Sequence, residues 1–208
     1  MIDSTGYFIH RFLNNNFNSN AYIISVGNNC IVVDPGTSYT DELLNYINTN
    51  KLSISYIILT HEHYDHCMGV NYLRNTNPNI KLVTSYYCNQ NIQDERMNLS
   101  RYADEKGNGF TISPANIVIN CDSNLNLLGL PFHFLLTPGH SQGSMCFGFY
   151  HILFSGDTII PYYKPILKLK GGSISDYHQS LDKLKKIYRN TKLFLYPGHG
   201  ESYNDFCL

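Results

Sequence analysis

Apolar residues along this chain fall in short dense runs, separated by polar turns, more often than in long helical stripes. NAYIISV (Asn20 to Val26) and CIVVD (Cys30 to Asp34) flank the polar turn Gly27-Asn28-Asn29, a pattern that predicts a β-hairpin. Asp34-Pro35-Gly36 then breaks the strand. Thr40-Asp41-Glu42 offers a cap and an acidic first turn to a helix whose apolar stripe is Leu43, Leu44, Tyr46 and Ile47. SYIILT (Ser55 to Thr60) is continuously apolar, as a strand buried on both faces must be. Further on, Gly69 to Leu73 predicts a short helix, Lys81 to Ser85 a strand, and Asn89 to Lys106 a polar, partly helical excursion. Phe132 to Thr137, Met145 to Asp157 and Leu193 to Gly198 predict strands. Ser175 to Tyr188 predicts an amphipathic helix with Tyr177, Leu181, Leu184 and Ile187 on one face. Strands interleaved with helices point to a layered α/β architecture, and with no repeat or linker the expectation is one domain over residues 1–208.

Composition narrows the class. At 208 residues and 43% hydrophobic content the chain can fill one sizeable core. A net charge of -1 supplies no field that would hold a phosphate backbone or an anionic membrane, so neither nucleic acid nor membrane is an expected partner. The N-terminus lacks a basic start and no segment approaches the roughly 18 apolar residues of a membrane span, so a soluble, cytoplasmic protein acting on a small molecule is expected. Cys30, Cys67, Cys88, Cys121, Cys146 and Cys207 are scattered without a CxxC pair, which suits reduced, mostly buried thiols. The oligomeric state is left open.

The chemistry appears at the ends of the apolar runs. Directly after the strand ending at Thr60 comes His61-Glu62-His63-Tyr64-Asp65-His66, which holds three of the chain's nine histidines. In an extended loop, side chains at i and i+2 share a side, so His61 and His63 can converge on one ion while Asp65 and His66 face a neighbouring one. Imidazole with carboxylate is the ligand set zinc takes in catalytic sites that keep a position open for water. Three more strand ends each present one candidate: His140 in TPGH, Asp157 in SGDT and His199 in YPGHG. Cys67 beside the cluster reads as a small packing residue.

These motifs together resemble the metallo-β-lactamase superfamily, and within it the hydroxyacylglutathione hydrolase (glyoxalase II)-like group. The matching residues are Asp34 in VVDPG, THEHYDH at Thr60 to His66, His140 in TPGHSQGS, Asp157 in FSGDT and His199 in YPGHG, spanning roughly Asn20 to Gly200. The resemblance implies a four-layer αββα sandwich with the site where the two sheets meet. It also implies two zinc ions (iron or manganese as alternatives), with His61, His63 and His140 on the first, Asp65, His66 and His199 on the second, and Asp157 bridging. Asp34, by the same resemblance, buttresses the ligand loop. The commonest zinc β-lactamases carry Cys where Asp157 stands, and flavodiiron proteins carry an acid where His63 stands, so neither class fits as well.

Two ions about 3.5–4 Å apart can turn a bridging water into hydroxide at neutral pH, which makes hydroxide the expected nucleophile and Asp65 the expected residue to orient it. A thiolate leaving group needs little acid assistance, so a thioester such as a hydroxyacylglutathione is the expected substrate. The sequence ends soon after Gly200, which resembles a short form without the helical C-terminal domain of glyoxalase II. Tyr162-Tyr163-Lys164, followed by Lys168, Lys170 and Gly171-Gly172, is a candidate lid with Tyr163 and Lys164 as candidate substrate contacts; the same lysines equally read as solvated charges. Asn98-Leu99-Ser100 resembles a segment of short glyoxalase II-like proteins without specifying a substrate, and His178 reads as a surface residue. The alternatives are a mononuclear iron persulfide dioxygenase and a nuclease resembling ribonuclease Z, the latter lacking a visible basic arm.

Overall fold

A computed structural model describes residues 6–36, 41–103 and 106–208, without the side chain of Asp41. Thr40, the expected cap, and residues 104–105 within the predicted excursion lie outside the described residues. The first half of the chain forms β1 (Tyr7–Asn14), β2 (Ser19–Val26), β3 (Asn29–Val33), α1 (Asp41–Thr49), β4 (Ser53–Ile58), α2 (Tyr64–Cys67), α3 (Val70–Thr76), β5 (Lys81–Ser85), α4 (Tyr86–Asn91) and β6 (Ile117–Ile119). The second half forms β7 (Ser123–Leu127), β8 (Leu130–Leu136), β9 (Met145–Phe149), β10 (Ile152–Gly156), α5 (Ile174–Ile187), β11 (Leu193–Pro197) and β12 (Tyr203–Phe206). They make two six-stranded sheets, ordered β1-β2-β3-β4-β5-β6 and β12-β11-β10-β9-β8-β7.

Period-two alternation decides the layering. Ile24, Ile31, Val33, Ile58 and Val83 of the first sheet meet Phe132, Phe134, Phe147, Phe149 and Phe154 of the second in one core. The intervening residues Ile23, Cys30, Val32, Ile57 and Leu82 turn outward and are covered by Leu43 and Ile47 of α1 and Val70 and Leu73 of α3. On the other side Leu135, Cys146, Leu153 and Leu195 are covered by Leu184 of α5 and by Tyr188 just beyond it. Both faces of each central strand are therefore apolar, which is why the sequence shows continuous runs. The result is an αββα sandwich.

Strand direction fixes where the polar ends gather. β3, β4 and β5 run parallel. In the second sheet β8 and β10 both pair antiparallel with β9, and β11 runs parallel to β10. The C-terminal ends of β8, β10 and β11 thus share one edge, and those of β3 and β4 share another beside it. Asp34, His61, His140, Asp157 and His199 all lie just past those ends.

Several expectations need correction. The run Met145 to Asp157 is a hairpin, not one strand: Phe149 pairs with Ile152, and Tyr150 turns the chain at φ +52 without a glycine or asparagine to announce it. On α5, Ile187 is 47% exposed, and the buried positions are Ser180 and Leu184. Asp65 and His66 sit in a helical turn, α2, which was not foreseen. The excursion after Asn89 is partly helical as expected: among its described residues α4 runs through Asn91 and a 3-10 turn covers Ser100–Tyr102. The short strands β1, β6, β7 and β12 were not foreseen.

Phe147 is fully buried in the middle of the inter-sheet core, with its ring stacked 5.2 Å from that of Phe154. Phe147→Ala is expected to cost about 3–5 kcal/mol, the range for emptying a buried aromatic site. Denaturant unfolding of metal-stripped protein measures it, and a loss below about 1 kcal/mol would show that the sheets close over the gap.

Candidate metal centre

The centre begins with a strained aspartate. Asp34 follows β3 in the left-handed region at φ +47, a conformation that costs a non-glycine residue about 1–2 kcal/mol. Its carboxylate accepts the Thr60 amide at 2.7 Å and the Thr60 hydroxyl at 2.6 Å, and His66 Nδ1 donates to it at 3.2 Å. The Thr60 hydroxyl has spent its hydrogen on Asp34, so it accepts from His61 Nδ1 at 3.0 Å. Asp34 thereby orients two rings at once, with its oxygens engaged by Thr60 and His66.

The other rings are held from outside in the same way. His140 Nδ1 donates to the Ile166 carbonyl at 2.9 Å, and His199 Nδ1 to the Asn18 carbonyl at 2.8 Å. In a neutral imidazole, one nitrogen that donates leaves the other with a lone pair. Through these bonds His61, His66, His140 and His199 all direct Nε2 inward, and His63 brings Nδ1 to 3.0 Å from His140 Nε2. His66 Nε2 and His199 Nε2 face each other at 3.3 Å.

Lone pairs so close repel unless a positive charge lies among them. A tetrahedral ion with ligands at about 2.0–2.1 Å keeps those ligand atoms about 3.3–3.4 Å apart, close to the spacings found. The donor atoms of His61, His63 and His140 lie within 4.8 Å of one another, as do those of Asp65, His66 and His199. Asp157 stands between the groups: Oδ2 is 3.5 Å from His140 Nε2 and 3.4 Å from His199 Nε2, and Oδ1 is 3.6 Å from His66 Nε2. Asp65 Oδ2 is 3.5 Å from His66 Nε2 and 3.4 Å from His199 Nε2. The buried His61 Nε2 and Asp157 Oδ1 have no hydrogen-bond partner among the described residues. This donor set fits divalent metal ions.

Electrostatics says the same. Burial alone would raise the Asp157 carboxyl, but the His66 charge, a His199 hydrogen bond and the His140 and His61 charges hold it well below the usual range. Burial would lower His66 and His199, yet Asp65 and Asp157 push them up to about 9 and about 10. Burial and neighbouring imidazoles carry His61 well down and His63 to about 3. The half of the cluster with the carboxylates demands positive charge, which protons on His66 and His199 supply until a metal displaces them.

Local geometry keeps the turns in place. The Tyr196-Pro197-Gly198 turn is gripped by the Tyr22 hydroxyl on the Pro197 carbonyl at 2.6 Å and by the Asn20 amide on the Pro197 and Gly200 carbonyls at 3.0 and 2.8 Å. A Cβ at Gly198 would come within 2.2 Å of Asp157 Oδ1, so only glycine permits this approach.

All seven expected ligands meet here. Tyr163, 70% exposed, lies at the rim beside Gly200, and Lys164 is exposed with no hydrogen bond or ion pair to the centre among the described residues. Cys67 is buried with its thiol on the Glu62 carbonyl at 3.1 Å, a packing residue as expected, and His178 is exposed. The described structure has no disulfide: four cysteines are buried and free, and Cys121 and Cys207 are exposed and free. Unforeseen were the grips of Asn20 and Tyr22 and the burial of Glu62 between two ligands. A carboxylate at the end of an apolar strand was the available signal for Glu62.

Comparison with known proteins agrees. The Metallo-beta-lactamase superfamily profile matches residues 14–199. The chain belongs to this superfamily. A probable metallo-hydrolase of Methanocaldococcus jannaschii is 30% identical over 195 residues, covering 89% of each chain. The hydroxyacylglutathione hydrolase of Francisella tularensis subsp. novicida is 30% identical over 190 residues, 90% of this chain and 65% of that protein. Among solved structures, the BLEG-1 B3 metallo-beta-lactamase superposes with a TM-score of 0.84 at 24% identity, covering 95% of this chain and 94% of that one. TTHA1623 in a di-iron-bound form superposes with a TM-score of 0.75 at 25% identity over 94% of both chains. Both of these structures superpose over most of this chain, one of them in a di-iron-bound form, and no helix among the described residues is long and apolar enough to cross a membrane.

Chelation is expected to lower the melting temperature, and Zn²⁺ to restore it. At about 1,000 times the dissociation constant, binding adds about 4 kcal/mol, or about 8–16 °C for a chain of this size. Thermal unfolding of chelated and reloaded protein checks this, and coincident curves would refute the reading of the inward nitrogens as ligands.

Proposed function

We propose that this protein is a binuclear zinc hydrolase of thioesters such as hydroxyacylglutathiones. His61, His63 and His140 hold one ion, Asp65, His66 and His199 hold the other, and Asp157 is shared. The observation that carries this is the Asp157 carboxylate, which has oxygens within 3.6 Å of nitrogens from both groups. A nitrogen and carboxylate ligand set suits zinc. Divalent ions bound there supply Lewis acidity, lowering the pKa of water toward neutrality and polarising an acyl carbonyl.

The chain's own groups do the remaining work. Asp65, whose carboxyl is kept below its usual range by His66 and His199 despite burial, orients the attacking water and takes its proton. A thiolate, with a pKa near 8.5, departs without a general acid. A cavity of about 500 Å³ lined by Tyr86, Tyr87, Pro138 and Gln142 flanks the His140 loop, though no proposed metal ligand lines it. The substrate class is drawn from the Francisella relative, of whose length this chain spans 65%, and from the hydroxyacylglutathione hydrolase of Vibrio vulnificus, 27% identical, of which it spans 56%. Tyr163 and Lys164 on the exposed rim contact the anionic end of the thiol portion.

Elemental analysis should give about two zinc per chain, with S-lactoylglutathione hydrolysed by the same sample. Asp157→Ala should lose more than about 100-fold in kcat/KM, since losing even a ligand's supporting partner costs about 10–100-fold. About one iron per chain, with oxygen consumed and no hydrolysis, would overturn the proposal in favour of persulfide oxidation.

Lys164→Ala is expected to raise KM with kcat unchanged, the pattern of lost uniform binding. Steady-state kinetics with the glutathione thioester decides it, and unchanged KM makes Lys164 a solvated surface charge.

A further inference from the structure

Glu62 lies between two of the ligand histidines and is fully buried, yet nothing in the proposed chemistry uses it. Alternation along the extended segment turns its side chain away from His61 and His63, toward the loop that carries His140. Three donors meet its carboxylate: the Asn91 amide at 2.8 Å, the Ser141 hydroxyl at 2.9 Å and the Gly143 backbone amide at 3.4 Å. Asn91 ends α4, and Ser141 and Gly143 follow His140 directly. From the other side the Ser85 hydroxyl donates to the Gly143 carbonyl at 2.6 Å. The approach is close enough to forbid a side chain, because a Cβ at Gly143 would stand 2.3 Å from Glu62 Oε2 and 2.5 Å from the Cys88 amide nitrogen.

We infer that Glu62 is a positioning residue, whose hydrogen bonds to Asn91, Ser141 and Gly143 hold the His140 loop in register with His61 and His63. It acts on the three-histidine group and not on Asp65, His66 and His199, which approach from α2 and the β11 turn. The role is one of hydrogen bonding, so charge is not required. A glutamine at this position can accept from Asn91 and Gly143 through its oxygen and donate to the Ser141 hydroxyl, which passes its own hydrogen to the Ser144 hydroxyl 3.0 Å away. An alanine leaves the Asn91 amide and the Gly143 N–H buried without the acceptor that Glu62 gives them, and leaves the Ser141 hydroxyl with Ser144 alone.

The inference rests on the metal ligands proposed above but not on the substrate. Its test is titration of the metal-stripped full-length protein with Co²⁺, followed by the visible absorption of the bound ion. Wild type should take up two equivalents, and His140→Ala identifies which belongs to the three-histidine group. Glu62→Ala should bind that equivalent about 10–100-fold more weakly, with an altered spectrum, and the other equivalent as wild type does. Glu62→Gln should restore wild-type binding and spectrum. Wild-type behaviour of Glu62→Ala, or a Glu62→Gln as impaired as the alanine variant, overturns the inference. If circular dichroism shows Glu62→Ala unfolded, Ser141→Ala replaces it and should weaken the same equivalent by about 10-fold, the low end of that range; unchanged binding then overturns the inference. A wild-type protein that binds no cobalt overturns the ligand assignment itself, a different result from an unaffected Glu62→Ala.

Discussion

The centre depends on one buried carboxylate at the end of a strand. Asp34 holds the Thr60 amide and hydroxyl and the His66 ring, and through the Thr60 hydroxyl it also sets the His61 ring. In the proposed assignment His61 belongs to one ligand group and His66 to the other, so a single side chain fixes the two relative to each other. The backbone at Asp34 is left-handed, which brings the carboxylate back beneath the neighbouring strand end. Hydrogen bonds to a buried charge are worth about 1.5–3 kcal/mol each, so three of them outweigh the strain.

Such an arrangement is possible because the sandwich does the expensive part elsewhere. Phenylalanines of one sheet pack on aliphatic residues of the other and stabilise the scaffold without any contribution from the polar edge. The edge can therefore carry inward-facing lone pairs and closely packed carboxylates that disfavour the metal-free state. Binding of cations relieves a repulsion that folding imposes. The same logic explains why the supports are so rigid. Carbonyls of Asn18 and Ile166, which have no freedom to rotate, hold the outer nitrogens of His199 and His140.

Those carbonyls also explain how much could be read from the chain. The candidate ligands were legible because a histidine-rich hexapeptide follows one apolar run and a small-residue turn presents His140, Asp157 and His199 after three others, and buried strands imprint themselves as continuous hydrophobic stretches. Backbone acceptors leave no mark in a sequence, so what orients His140 and His199 was invisible. Glu62 was passed over because a carboxylate beside ligand histidines looks like solvent-facing polarity; only the arrival of Asn91, Ser141 and Gly143 from distant positions makes it a buried junction. The hairpin at Tyr150 was missed for a different reason. Its left-handed residue is a tyrosine, whose ring stacks 6.3 Å from Tyr7, so tertiary packing replaces the turn chemistry that a sequence pattern relies on. On α5, an apolar Ile187 at the helix end was assigned to the core, whereas the polar Ser180 is buried because its hydroxyl reaches the Pro138 carbonyl at 2.7 Å.

The segment after Asp157 joins these two kinds of residue. Its backbone serves the centre, since the Ile166 carbonyl fixes His140, while its side chains Tyr162, Tyr163 and Ile166 project outward and are 87%, 70% and 62% exposed. A peptide carbonyl can be supplied by any residue, so the support of His140 places no demand on side-chain identity there. The rim can vary in sequence, and with it the molecule it contacts, while the ligand geometry is preserved. That separation is one physical route by which a single metal-binding edge can serve relatives that differ in the compounds they act on.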